Sequence, residues 1–226
     1  QPCTGHAVWF AAHNLSDFLQ EYHDTCRLQS LQWQRPVRVL ELGAGTGFCG
    51  LWLARMLKNL QSKLPIATML LTDGDRDVVQ LLERNCQRNN LTDNDDAVNG
   101  VAVECRQFAW GKEQAEDLLQ HDRGFDLILG ADLVYGRNDD RASSSVVDLF
   151  DSIRVLLGTK DASAFYLGFT RRDLPIAVVL EAANERGLIW ELVQDYVYDI
   201  FVSNTDGQTC FWRDAIYVFR RGDGLA

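Results

Sequence analysis

The residues best suited to chemistry begin with a group of glycines in the first quarter of the chain. The sequence RVLELGAGTGFCG, from Arg38 to Gly50, starts as an apolar, partly β-branched strand. Such strands are buried on both faces of a sheet, and glycines that follow them let the backbone turn sharply and approach a ligand closely. The run therefore predicts a strand that opens into a turn able to hold a nucleoside cofactor.

The spacing of these glycines fits two classes of cofactor. Gly43, Gly45 and Gly47 have the spacing GxGxG. Gly45, Gly47 and Gly50 have the spacing GxGxxG, which is typical of dinucleotide-binding proteins. Glu41 lies two residues before the first glycine, where a carboxylate would repel a pyrophosphate but could offset the charge of a cationic cofactor. S-adenosylmethionine, with its sulfonium and ammonium groups, meets that requirement, whereas the glycines alone also allow NAD.

A second candidate group follows the next strand-like run. In LLTDGDRD, Asp73 stands where ligands bind in open α/β sheets, so its carboxylate could hold both hydroxyls of a ribose. Asp75 and Asp77 fall in the first turn of the next helix, where carboxylates interact favourably with exposed amides. Asp73 could also be a helix cap. Its position on the strand that follows the glycine turn, residues 43–47, favours the ribose role.

Three more candidates follow the third and fourth predicted strands. Trp110, in QFAWGKE, could stack on an adenine ring, although an isolated tryptophan is more often part of a core. Asp132 and Tyr135 follow the apolar run FDLILGA, and a carboxylate and a phenol at this spacing can orient an amine nucleophile. Either residue alone could instead be a helix cap or a packing residue.

A parallel sheet would bring these strand ends together. Strand-like runs that alternate with helical segments predict an α/β, Rossmann-like, seven-stranded and mostly parallel sheet with helices on both faces. The first five strands are predicted at 37–42, 66–72, 101–108, 125–131 and 162–169. A helix at 174–186 and a C-terminal antiparallel hairpin of 188–201 and 209–220, with Asp206-Gly207 in its turn, complete the sheet.

The first residues predict an amphipathic helix that precedes the sheet. Leu15, Phe18, Leu19 and Tyr22 recur at helical spacing and would share one side. We expect one domain over 1–226, in which a helical segment at 1–35 packs on the cofactor site and 36–226 forms the sheet core.

Composition and charge exclude some classes of protein and some kinds of binding partner. The 226 residues carry a net charge of −10 and are 46% apolar, so we expect a protein that does not bind nucleic acid and suits a basic protein or peptide. The six cysteines form no CxxC pair, which argues against a zinc site and a disulfide framework. No membrane segment or signal peptide is evident. We expect a soluble monomer, cytoplasmic or alternatively nuclear, without a metal.

Together these motifs resemble the seven-β-strand protein methyltransferases of methyltransferase family 16, most of which modify lysine. The resemblance extends over nearly the whole chain and rests on VWFAA, ELGAGTG, the pair Thr72-Asp73, Trp110 and GADLVY, in which DLVY matches the family's DxxY signature. It implies an S-adenosylmethionine-dependent protein-lysine N-methyltransferase. It also implies cofactor contacts by Trp9, Gly43, Ala44, Gly45, Asp73, Trp110 and Ala131, with Asp132 and Tyr135 at the entry for the target side chain.

Other functions stay open on the sequence. A protein histidine or a small molecule could replace lysine as the acceptor. An NAD-dependent oxidoreductase would use the GxGxxG subset but would have Glu41 close to its phosphates. A non-catalytic scaffold is disfavoured because the glycines, Asp73 and DLVY are all intact. Phe10 stands where relatives often carry proline, and the segment GRNDDRASSS after DLVY is unusually polar, so the substrate-facing loop could be specialised.

Overall fold

A computed structural model describes residues 4–24, 37–59, 66–91, 101–120, 123–134, 140–159, 162–171, 174–200 and 210–222. A 3-10 turn, Thr4–His6, opens the described chain. The helices are α1 Phe10–Asp24, α2 Phe48–Asn59, α3 Arg76–Arg88, α4 Lys112–Leu119, α5 Asp140–Leu156 and α6 Ile176–Glu185. The strands are β1 Val37–Leu42, β2 Ile66–Asp73, β3 Ala102–Gln107, β4 Leu127–Ala131, β5 Ala164–Thr170, β6 Leu188–Ile200 and β7 Cys210–Arg221.

The seven strands form one sheet in the order β3-β2-β1-β4-β5-β7-β6. The pairs from β3 through β5 are parallel, whereas β7 runs antiparallel to both β5 and β6. This confirms the predicted Rossmann-like sheet with its antiparallel C-terminal strands. Since β1 pairs with β2 on one side and β4 on the other, the strand order reverses at β1, and a crevice forms at the carboxyl ends of these strands.

The predicted strand boundaries agree closely with the structure, and β4 shows why one of them shifts. It begins at Leu127, two residues later than predicted. Phe125 forms an isolated bridge with Leu157, and the Asp126 carboxylate accepts a hydrogen bond from the backbone N–H of Arg38 at 3.0 Å. Just before β4, the Asp126 carboxylate thus accepts the hydrogen bond from Arg38 that a backbone carbonyl would accept within the sheet, so the regular strand begins one residue later. The predicted Asp206-Gly207 turn lies outside the described residues.

Apolar clusters cover both faces of the sheet. One cluster packs α5 and α6 against the sheet and includes the fully buried Phe150, Phe165 and Phe219. The other packs α1, α2 and α3 against the opposite face. Of the four apolar residues predicted on one side of α1, Leu15, Phe18 and Leu19 belong to this second cluster, and the partly buried Tyr22 packs against it. Within the described parts of the chain, none of the helices has the length and apolar content needed to cross a bilayer.

Candidate functional site

One cavity of about 560 Å³ opens at the carboxyl ends of β1, β2 and β4. This volume falls within the range of small-molecule sites. The structure brings nine of the ten candidate residues from the sequence to its wall: Trp9, Glu41, Gly43, Ala44, Gly45, Asp73, Trp110, Ala131 and Asp132. The tenth, Tyr135, lies outside the described residues.

The glycine turn forms one wall of the cavity and requires glycine for two different reasons. Gly43 and Gly45 both have a left-handed backbone, with φ of 55° and 56°. A Cβ on Gly43 would also overlap the side chain of Leu133, and a Cβ on Gly45 would lie 3.1 Å from the carbonyl oxygen of Gly5. Any side chain here would therefore strain the backbone and crowd the space beside the cavity.

Asp73 ends β2 and is held in place by two backbone amides. Its Oδ2 accepts a hydrogen bond from the N–H of Gly45 at 3.1 Å, and its Oδ1 accepts one from the N–H of Asp75 at 3.0 Å. Each carboxylate oxygen has a second lone pair, so these bonds leave acceptor capacity on both oxygens. The carboxylate thus ties the glycine turn to the start of α3 and can still accept hydroxyl groups from a ligand.

Glu41 lies on β1, beneath the glycine turn. Its side chain is only 3% exposed, and its Oε2 accepts a hydrogen bond from the N–H of Gly50 at 2.9 Å. Burial raises the pKa of Glu41 from 4.5 to about 8, against the opposing effect of the Gly50 hydrogen bond, while Asp73 contributes smaller repulsion. Without a ligand, this carboxyl group is therefore mostly protonated at pH 7, and a cation nearby would favour its ionised form.

Asp75 and Asp77 have the structural roles that their positions predict. Asp75 is the N-cap of α3, and its Oδ1 accepts a hydrogen bond from the N–H of Asp77 at 2.8 Å. Asp77 lies in the first turn of the same helix. A capping aspartate stabilises the free amides of the helix start. Asp73 is thus distinguished from Asp75 by its contact with the glycine turn.

Two tryptophans stand on the cavity wall. Trp110 follows β3 and lies against Gly43, with its Cζ2 3.9 Å from the position of a Cβ there. The next residue, Gly111, donates its N–H to the Ser152 hydroxyl at 2.8 Å, which fixes the chain beside Trp110 to α5. Trp9, just before α1, is 37% exposed and reaches the cavity from the N-terminal segment.

Asp132 turns the chain into the cavity directly after β4. It is a non-glycine residue with φ of 55°, and its N–H donates to the carbonyl oxygen of Gly168 at 2.8 Å. Its side chain is 6% exposed. A left-handed conformation costs about 1–2 kcal/mol for such a residue, and strain of this kind clusters at functional sites.

Sequence reasoning missed part of the wall. The N-terminal residues Gly5, Ala7 and Val8 line the cavity, although their sequence has no periodicity that would predict it. Further wall residues come from α2, α3 and the segment after β3: Phe48, Cys49, Val78, Phe108 and Ala109. Their positions next to predicted site residues are the one signal that could have found them.

A family profile and two curated relatives that match this chain all concern lysine methyltransferases. The sequence profile of a family described as lysine methyltransferase matches residues 1–175. The chain is 25% identical over 162 residues to a calmodulin-lysine N-methyltransferase of Arabidopsis thaliana, covering 72% of this chain and 46% of that protein. It is 27% identical over 202 residues to the protein-lysine N-methyltransferase EFM3 of Saccharomyces cerevisiae, covering 87% and 53%. The chain spans about half the length of these curated relatives.

Solved structures share the fold at low sequence identity. The YcgJ protein of Bacillus subtilis superposes with a TM-score of 0.60 at 14% identity, covering 94% of this chain and 100% of that one. A precorrin-6y C5,15-methyltransferase of Geobacter metallireducens gives a TM-score of 0.51 at 13% identity, covering 89% and 88%. At these identities the likeness concerns the architecture alone.

Proposed function

Because the chain belongs to the lysine methyltransferase family, we propose that it transfers a methyl group from S-adenosylmethionine to a lysine side chain of a protein. The observation that carries this proposal is the convergence of the glycine turn, Glu41, Asp73 and Asp132 on one cavity. The names of the two curated relatives support a protein lysine as the acceptor.

The residues of the cavity fit this methyl donor. The Asp73 carboxylate, held by two amides, would accept the ribose hydroxyls, and Trp110 would cover the adenine ring. The turn from Gly43 to Gly45 and Ala131, which line the same cavity, would leave room for the amino-acid part of the donor. Glu41 would become negatively charged when the donor binds, because a bound cation lowers the raised pKa of its carboxyl group.

Asp132 and Tyr135 are proposed to serve the acceptor. Asp132 lies on the wall formed by the end of β4, beside Ala131 and Leu133, and its carboxylate would position the lysine nitrogen by hydrogen bonding. A carboxylate alone stabilises the protonated amine, so we assign Asp132 to positioning rather than to removal of the proton. Tyr135 follows at the family's DxxY spacing and would contribute its ring face and hydroxyl group.

Positioning would supply most of the rate enhancement. When bound, S-adenosylmethionine would supply an electrophilic methyl group, to whose carbon a neutral amine bonds in line as the C–S bond breaks and S-adenosylhomocysteine leaves. The chain's part is to hold that amine in line, and a well-oriented pair of reactants can gain about 7 kcal/mol or more over a free encounter. Trp9 and Val8, on the N-terminal side of the cavity, would limit access of water to the reacting atoms.

A labelling experiment tests the reaction. The protein is incubated with a cell lysate and radiolabelled S-adenosylmethionine, and the labelled residue is identified by mass spectrometry. We expect a labelled lysine in a protein band. Label on histidine or on a small molecule would contradict the acceptor, and tighter binding of NADH than of S-adenosylmethionine in a titration would contradict the methyl donor.

A variant of Asp132 tests the residue roles within that reaction. Asp132→Ala removes the carboxylate, so we expect methylation to fall at least about 10-fold, the loss of one positioning hydrogen bond. Donor affinity, measured by calorimetry, should stay within about twofold. Methylation at the wild-type rate with unchanged donor affinity would remove Asp132 from the mechanism.

A further inference from the structure

A close pair of thiols joins α3 to β3 outside the cavity. The Sγ atoms of Cys86, near the end of α3, and Cys105, on β3, are 3.3 Å apart. Cys86 is buried and Cys105 is partly exposed. A disulfide has an S–S length of about 2.0 Å, so the two sulfur atoms need to approach by only about 1.3 Å to bond.

The contact between the thiols also makes one of them more reactive. The hydrogen bond from Cys105 lowers the pKa of Cys86, against the opposing effects of burial and of the nearby Glu83 carboxylate. The same hydrogen bond raises the pKa of Cys105. Because the thiolate is the nucleophile in thiol oxidation, a pair with one favoured thiolate and a neighbouring thiol has both partners of a disulfide-forming reaction.

We propose that Cys86 and Cys105 are a reversible oxidation site that a peroxide converts into a disulfide. The thiolate of the pair attacks one peroxide oxygen, the O–O bond breaks, and the other oxygen leaves as water after it takes up a proton. The second thiol then attacks the resulting sulfenic sulfur, the S–O bond breaks, the S–S bond forms, and a second water leaves. Two thiols are oxidised and one peroxide is reduced to two water molecules.

The disulfide would act on the glycine turn through α3. Asn85, next to Cys86, donates its side-chain N–H to the carbonyl oxygen of Thr46 at 2.9 Å. Leu82, one helical turn earlier, packs so closely that a Cβ on Gly47 would overlap it. Both contacts join α3 to the turn, so a displacement of α3 toward β3 would disturb them and loosen the turn that lines the cavity.

Formation of the disulfide is tested on the purified protein. It is treated with hydrogen peroxide, blocked with an alkylating reagent, digested without reductant and analysed by mass spectrometry. We expect a Cys86–Cys105 cross-linked peptide that dithiothreitol removes, and a melting temperature higher by about 5–10 °C in the oxidised form. The loop that the bond closes contains residues 87–104. Absence of this peptide, or sulfinic acid at either position, would overturn the proposal.

Two controls make the result specific. Cys49 is buried in the apolar cluster that also contains Cys86, and burial raises its pKa well above the usual range, so it should stay a reduced thiol that the alkylating reagent modifies once the protein is denatured. Cys105→Ser keeps a small polar side chain but cannot form the bond, so its melting temperature should not rise with peroxide. A rise in that variant would show that the stabilisation comes from another site.

The effect on the glycine turn is tested by hydrogen exchange, which needs no ligand. Amides at 43–47 should exchange faster in the oxidised protein than in the reduced protein, and equal rates would overturn the coupling. The further expectation that S-adenosylhomocysteine binds at least about threefold more weakly after oxidation rests on the proposed function. If the reduced protein does not bind it at all, the proposed function fails while the thiol chemistry and the exchange result stand.

Discussion

Glu41 and Asp73 stand at the ends of two neighbouring parallel strands and line the same cavity, yet their surroundings differ. Glu41 is nearly inaccessible, accepts one N–H from Gly50, and has a pKa raised to about 8 by burial. Asp73 is half-buried and accepts two N–H groups, one from the glycine turn and one from the start of α3. Two carboxyl groups at one edge of the sheet therefore differ: Glu41 holds a proton that a nearby cation would displace, whereas Asp73 is a hydrogen-bond acceptor fixed by two amides.

Removal of the Asp73 carboxylate should have the largest effect on ligand binding. Asp73→Ala would lose the two proposed hydrogen bonds from ribose hydroxyls to a charged acceptor, so we expect affinity for S-adenosylhomocysteine to fall at least about 100-fold. Isothermal titration calorimetry measures this. An affinity within a few-fold of the wild type would show that the difference between the two carboxylates does not include the ribose role.

The protonation of Glu41 should make stability depend on pH. The folded protein keeps a proton that the unfolded chain has lost, so the free energy of unfolding falls as the pH rises from 4.5 to about 8. Between about pH 5.5 and 7.5 this amounts to about 3 kcal/mol from this group. Urea denaturation should show that Glu41→Gln lacks this decrease, and the same decrease in the variant would assign it to other groups.

Position 50 should require glycine, because a larger residue would not fit beside the buried carboxyl group of Glu41. A Cβ on Gly50 would overlap the Glu41 carboxylate and the side chain of Leu71, so Gly50→Ala should destabilise the protein by about 2 kcal/mol, despite the gain that alanine usually brings to a helix. Gly74→Ala is the matched control on the Asp73 side, because its Cβ would lie no closer than 3.8 Å to another atom. Equal denaturation midpoints for the two variants would refute this explanation.

The capping residue beside Asp73 should give the smallest effect. Asp75→Ala removes the side-chain acceptor for Asp77 and should cost about 1 kcal/mol of stability. The backbone N–H of residue 75 still holds Asp73, so ligand affinity should change by less than about twofold. If calorimetry shows losses as large as those of Asp73→Ala, the ribose role belongs to Asp75.

The sequence predicts this architecture well because its signals are local. The β-branched run over Val37–Leu42 and the glycines after it determine a buried strand and a turn, and both are found where predicted. The same pattern places Asp73 at the end of β2 and Asp132 directly after β4, since a short polar residue after an apolar run marks the end of a strand.

What the sequence does not predict depends on distant contacts. The raised pKa of Glu41 comes from burial under a turn that must first be folded. The hydrogen bond from Asn85 to Thr46 joins residues 39 positions apart. Aspartate adopts a left-handed backbone more readily than most residues, but its type alone does not distinguish Asp132 from the other aspartates of the chain. Gly5 was missed as a wall residue for the same reason, because only tertiary packing brings it onto the glycine turn.

The position of β7 has a consequence for how the protein is made. In the sheet, β7 lies between β5 and β6, although it follows both in the chain. A ribosome therefore releases β6 before the strand that it pairs with exists, and the backbone N–H and C=O groups along that edge of β6 wait for their partners during that interval. Translation pauses placed between β6 and β7 should lengthen this interval and lower the yield of active protein.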